Sequence, residues 1–215
     1  MGDWRQRFGG KRWRIGSDGF IEIEGEGRPR TKGEPVTMRT MVFDYSHTFE
    51  AVAHKLRDVA GDDSPWMVPY LATLCALEST RIGDSFHRDP DPIRREPDYV
   101  SDDATPDEIS PGLMQTLIST AENVRAKHGL WSGEVTREDL MIPYRSVLVA
   151  GFYLLDLARR EQTWDPVLLS AAYNAGGIYE SDDNPFHLRV YHENRPMMTV
   201  KWWNDYNAVA GTTCG

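Results

Sequence analysis

Cysteine is almost missing from this chain: two residues in 215, Cys75 inside an apolar run and Cys214 one residue from the end. That excludes a disulfide framework and a Cys-x-x-Cys redox or zinc pair. Cys75 reads as a small core residue and Cys214 as part of a fraying tail. Excess positive charge is missing too. A net charge of −9 argues against a general nucleic-acid binder, which would present a basic face. No apolar run is long enough to span a bilayer; the most apolar helical stretch, near 143–158, is interrupted by Arg145 and Asp156. The N-terminus carries charges but no apolar signal-peptide core, so synthesis in a cytoplasm is expected, with delivery elsewhere left to other means. The six histidines are scattered without a His-Glu-x-x-His pattern, and His187 and His192, five apart, make a poor helical pair for a metal. There is no P-loop, dinucleotide fingerprint, internal repeat or low-complexity tract. No cofactor is expected.

What is present suits one domain with a good core and a small appendage. Residues 1–14 hold Arg5, Arg7, Lys11, Arg12 and Arg14 against Asp3 alone, with Trp4, Phe8 and Trp13 between them. Such a basic arm is either solvated or applied to an anionic surface of a cell envelope or virion. Residues 10–43 are rich in Gly and Pro. Phe20–Glu24 alternates as a strand between Ser17-Asp18-Gly19 and Gly25-Glu26-Gly27, and Met38–Phe43 suggests a second strand. The expected division is therefore a β-containing appendage or arm over 1–45 and a mainly helical domain over 46–215, an α+β chain that is predominantly α-helical.

From Ser46 the period is helical. Phe49, Val52, Ala53, Leu56 and Val59 share a face, with Ser46 or Thr48 as a cap. After Asp62-Asp63-Ser64-Pro65 a second helix is expected from about Trp66 to Ser79. Residues 83–108 are polar and carry Asp89-Pro90-Asp91-Pro92 and Arg94-Arg95-Glu96-Pro97, which exclude a long helix and suggest a flap or an insertion. Ser110–Gln115 reads as a turn feeding a helix through Leu117, Ile118, Ala121 and Val124 to a stop at Gly129. Further helices are expected from Pro143 to about Arg160, from the Asp165-Pro166 cap to Gly176-Gly177, and around Trp202, Trp203 and Tyr206.

The second helix holds the chemistry. Leu71, Leu74, Cys75 and Glu78 fall at i, i+3, i+4 and i+7, so a carboxyl group takes the fourth place in an apolar line. Held against apolar surface, it would lose water and resist ionisation, as a general acid must. The alternative is that the helix ends there and Glu78 turns into solvent.

Three segments in order, Ala76-Leu77-Glu78-Ser79, Gly112-Leu113-Met114-Gln115 and Ala171-Ala172-Tyr173-Asn174-Ala175-Gly176, resemble the motifs of the soluble lytic transglycosylases, lysozyme-like peptidoglycan-cleaving enzymes related to goose-type lysozyme. The resemblance covers about residues 47–180. Ser146–Leu154 stands where the family has a helix reading roughly Asn-Ile-x-x-Gly-x-x-Tyr-Leu; it keeps the Tyr-Leu as Tyr153-Leu154 and replaces the Asn and the Gly. The segment before Gly112 is longer than usual, and Ser110-Pro111 replaces a run of small residues. The resemblance implies a lysozyme-like fold, Glu78 as catalytic acid and base, and Ser79 close to the reacting sugar. It implies that Met114 and Gln115 line the glycan cleft, and that Tyr153, Tyr173 and Asn174 surround the Glu and the sugar to be expelled. The implied partner is the peptidoglycan glycan strand, cleaved between N-acetylmuramic acid and N-acetylglucosamine with a 1,6-anhydro end. Two rivals stand beside it. A goose-type hydrolase would need a water-positioning Asp, such as Asp84 or one of Asp89, Asp91, Asp98, Asp102 and Asp103; an inactive glycan-binding or structural virion domain would not need Glu78. A wall-cleaving enzyme without a signal peptide fits a bacteriophage, as an endolysin or a virion component.

Overall fold

The computed structural model describes residues 3–31, 35–60, 67–79, 93–95 and 98–213. Among them the elements run β1 (Trp13–Ile15), β2 (Ile21–Ile23), α1 (Pro35–Ala60), α2 (Met67–Ser79), β3 (Ile93–Arg95), a 3-10 turn (Pro106–Glu108), β4 (Ile109–Pro111), α3 (Ile118–His128), α4 (Arg137–Met141), α5 (Pro143–Glu161), α6 (Pro166–Ala175) and α7 (Arg195–Thr213). The chain is α+β and predominantly α-helical, its described strands forming two antiparallel pairs, β1–β2 and β3–β4. No described helix is long and apolar enough to cross a membrane. The residues cluster into two compact units: Met1–Asp44 with Ala72–Leu77 and Leu157–Gly215, and Tyr45–Leu71 with Glu78–Asp156.

In the first unit the N-terminal arm is bound to α6 and α7. The β1–β2 hairpin pairs Trp13 with Ile23, Arg14 with Glu22 and Ile15 with Ile21, so Trp13, Ile21 and Ile23 are buried while Arg14 and Glu22 share the other face. Asn204 of α7, wholly buried, acts as one more strand edge: its Oδ1 accepts from Ile21 N–H at 2.7 Å and its Nδ2 donates to the Ile21 carbonyl at 2.9 Å. Trp203 Nε1 donates to the Gly19 carbonyl at 2.7 Å, and buried Asp205 accepts from Arg30 Nε at 2.7 Å. Four of the arm's five basic side chains meet acidic partners: Arg5 meets Asp165, Lys11 meets Glu26, Arg12 meets Glu24 and Arg14 meets Glu22. Arg14, then Arg28, hold the Glu22 carboxyl below its usual range. In the fold these four basic charges of the arm each have an acidic partner.

Asp165 joins the arm to α6. It is the N-cap, accepting from Val167 N–H at 2.9 Å and Leu168 N–H at 3.2 Å, and its other oxygen accepts from Trp13 Nε1 at 2.8 Å and Arg5 at 3.1 Å. The side chain is 1% exposed, so removing it orphans a buried indole N–H as well as the helix end. Asp165→Ala is expected to cost about 2–3 kcal/mol in urea unfolding, against about 1 kcal/mol for an ordinary cap. A loss at the ordinary level would show that the arm contributes nothing through this carboxylate.

In the second unit, Phe49, Val52, Ala53 and Leu56 form the buried face of α1, while Val59, on the same line, is 46% exposed near the helix end. The expected strand over Met38–Phe43 is instead helix, since α1 starts at Pro35 and passes through it. The apolar spacing of Met38, Met41, Val42, Tyr45 and Phe49 continues the helical line upstream, and Pro is well placed in a first turn. Ser46 and Thr48 consequently lie within the helix and do not cap it. On α5, Gly151 admits α1 closely: a Cβ there would lie 2.7 Å from Leu56 Cδ1 and 3.1 Å from Val52 Cγ1. Helix α3 ends as expected, with Gly129 left-handed at φ 59° and its N–H on the Arg125 carbonyl. Helix α4, which no apolar period announced, is set by a capping box between Thr136 and Asp139. Of the expected flap over 83–108, residues 83–92 with 96 and 97 lie outside the described residues, as do Trp66 and Cys214; β3, within it, pairs with β4.

Candidate active site

Glu78 and Ser79 close α2, whose Pro69 sits in the first turn, where a missing N–H costs little. From Pro69 to Ala76 every residue is buried. Over this stretch the helix is thus buried all round, and the line through Leu71, Leu74 and Cys75 is one part of that surface. Burial lapses over the last three residues, and Glu78 is half-buried where the helix emerges. This lies between the two readings of the sequence: the carboxyl is neither sealed in the apolar line nor turned fully into water.

Its neighbour makes the decisive contact. Ser79 Oγ donates to the Leu113 carbonyl at 2.7 Å, which ties the end of α2 to the Gly112–Gln115 turn. Within that turn Gln115 N–H reaches the Gly112 carbonyl at 3.2 Å, and Gln115 Nε2 donates to the same oxygen at 2.8 Å. Gln115 adopts φ 46°, a left-handed conformation uncommon for a residue with a Cβ, and such strain clusters at functional sites. Gly112 has φ 79° and faces the end of α4, where the Leu140 carbonyl fills the space a Cβ would need. The turn is fixed from below by Ser146 at the start of α5. This buried hydroxyl accepts from Met114 N–H at 3.1 Å. Ser146 stands where the resembled family has Asn, so a polar side chain was legible there, but its partner was not.

The remaining candidates divide between the units. Tyr153 lies seven residues after Ser146, on the same face of α5, and is half-buried in the second unit with Glu78, Ser79 and Gln115. Met114 is wholly buried, so its side chain offers no surface to a glycan and serves as packing under the turn. Tyr173, 8% exposed, and Asn174 are carried by α6 in the first unit. Asn174 Oδ1 accepts from Tyr191 N–H at 2.8 Å, so this side chain also shapes the loop beyond the helix.

Of the Asp residues suggested for water activation, Asp84, Asp89 and Asp91 lie outside the described residues. Asp98 and Asp103 are exposed, and Asp102 is engaged, accepting from Tyr99 OH at 2.5 Å with Arg137 at 3.8 Å. Among the described residues no group of three or more His, Cys, Asp or Glu is arranged to hold a metal ion. The arrangement in the second unit is thus one half-buried carboxyl group beside a strained, amide-bearing turn, a set able to exchange a proton and to hydrogen-bond an acetamido group. No protein-family model matches this chain, and no curated protein sequence matches it.

Proposed function

We propose that the protein is a peptidoglycan lytic transglycosylase, with Glu78 as its acid and then its base. The observation that carries the reading is the hydrogen bond from Ser79 to Leu113, which joins two motifs that stand 34 residues apart in the chain. In this reading Glu78 donates its proton to the oxygen linking N-acetylmuramic acid to N-acetylglucosamine, and the C1–O bond breaks through an oxocarbenium-like transition state. The substrate's acetamido group stabilises the cationic carbon, and Gln115 positions that group. The ionised Glu78 then takes the proton of the C6 hydroxyl as its oxygen closes on C1. No water is consumed, so one carboxylate suffices. A hydrolase would need a second, about 5–5.5 Å away for retention or roughly 6.5–9.5 Å for inversion. A bacteriophage lysis or entry protein is the setting that suits such an activity.

Product masses test the reading. Muropeptides released from purified peptidoglycan are expected to be lighter by one water than hydrolysis products, with anhydro-muramic ends. Reducing ends carrying that water would make the protein a hydrolase, and absence of any product would overturn the enzyme reading.

A further inference from the structure

We propose that Tyr191, on the loop that follows α6, is a stacking subsite for an N-acetylamino sugar of the glycan strand, with Tyr179 bracing that loop. The proposal rests on the lytic transglycosylase reading and adds to it two residues outside the three motifs. Both rings are open to solvent, Tyr191 at 73% and Tyr179 at 49% exposure. Exposed aromatic rings usually sit on mobile side chains, and ordering them on binding offsets much of the gain. Here the framework is built in advance.

Tyr191 is held through its backbone by Asn174 Oδ1, so the last polar side chain of the third motif sets its position. Tyr179 is held from two sides. The Arg189 guanidinium lies over its ring at 5.8 Å from the centroid, and Arg189 N–H donates to the Tyr179 carbonyl at 2.9 Å. Its phenol also lies over Gly177: a Cβ there would come within 2.7 Å of the Tyr179 hydroxyl. The second glycine of the Gly176-Gly177 pair is therefore the space this ring occupies. A bridge between Glu180 and Leu188 closes the loop, which brings residues 179 and 189 together and places 191 two residues further on.

Charge selects the occupant. Residues 179–193 carry Glu180, Asp182, Asp183 and Glu193 against one guanidinium, Arg189, itself placed on a ring. That balance disfavours nucleic acid or an anionic lipid surface. A neutral amino sugar presents a face of polarised C–H groups, which suits the negative face of an aromatic ring.

Titration of the full chain with chitohexaose, followed by NMR, measures the subsite without requiring turnover. Tyr191→Ala is expected to weaken binding about five- to twentyfold, the size of one stacking contact. Tyr191→Phe is expected to retain it, because the ring and not the hydroxyl stacks. Tyr144→Ala, at another exposed tyrosine at the start of α5, is expected to change nothing. On peptidoglycan the Tyr191→Ala loss is expected in KM, with kcat kept. Unchanged chitohexaose affinity in Tyr191→Ala overturns the subsite while leaving the enzyme reading intact. Binding that depends on Tyr191 in a protein that releases no product keeps the subsite and overturns the enzyme. Wild-type protein that does not bind chitohexaose overturns the subsite, and product analysis then decides the enzyme reading separately.

Discussion

Glu78→Gln is expected to suppress muropeptide release, lowering kcat by about 10²–10⁴-fold, the usual contribution of a positioned acid–base group. The amide keeps the size and most of the hydrogen-bonding shape of the carboxyl group, but it can neither give the glycosidic oxygen a proton nor take one from the C6 hydroxyl. Both halves of the proposed reaction fail together, so kcat falls while glycan affinity stays. Folding should survive, because Glu78 is half-buried at a helix end and the replacement is isosteric. The thermal midpoint is expected to move by about 1–2 °C at most. A variant that keeps more than a tenth of the wild-type rate would remove Glu78 from the chemistry. Lost activity accompanied by lost chitohexaose binding would point to damage of the cleft and away from a missing proton.

The second large effect is on the frame. Gly112→Ala is expected to destabilise the protein by about 3–5 kcal/mol and to shift the thermal midpoint downward by roughly 6–20 °C. Two costs combine. At φ 79° an L side chain is strained by about 1–2 kcal/mol. Its Cβ would also overlap the Leu140 carbonyl oxygen, with Leu140 C at 2.9 Å and Ser146 Oγ at 3.0 Å. Moving aside breaks the buried bond from Met114 N–H to Ser146. Gly129→Ala separates the terms. Gly129 is also left-handed, at φ 59°, but nothing lies within 4 Å of the position its Cβ would take. It should therefore cost only about 1 kcal/mol. Equal losses at the two glycines would show that Leu140 yields readily and that the turn is not held as described.

Local signals suffice wherever a short segment decides its own conformation. Asp165-Pro166 opens α6, Gly129 and Gly176 close α3 and α6 in the left-handed region, and Pro143 begins α5. Each depends on backbone chemistry within one helical turn: a side-chain acceptor for orphan N–H groups, a fixed φ, or freedom from a Cβ penalty. Met38–Phe43 failed for a related reason. Its β-branched and aromatic residues suit a strand locally, but α1 extends through them from Pro35, and the longer apolar period prevails over local preference.

By itself, then, the sequence determined a predominantly helical α+β chain and the ends of several helices, and it offered, in three ordered segments, the residue types of the one-carboxylate site proposed above. Tertiary structure alone decided which of those residues are held together. Nothing local to Ser79 names Leu113 as its partner, nothing in the turn names the carbonyl of Leu140 as the reason for Gly112, and nothing in Met114 says that its side chain is buried. The same holds for the arm, where Arg5, Lys11, Arg12 and Arg14 look free in the sequence and are met by Asp165, Glu26, Glu24 and Glu22 in the fold. The physical reason is range. Caps and turns are chosen among neighbours along the chain, whereas burial and long-range hydrogen bonds depend on which distant segments packing brings together.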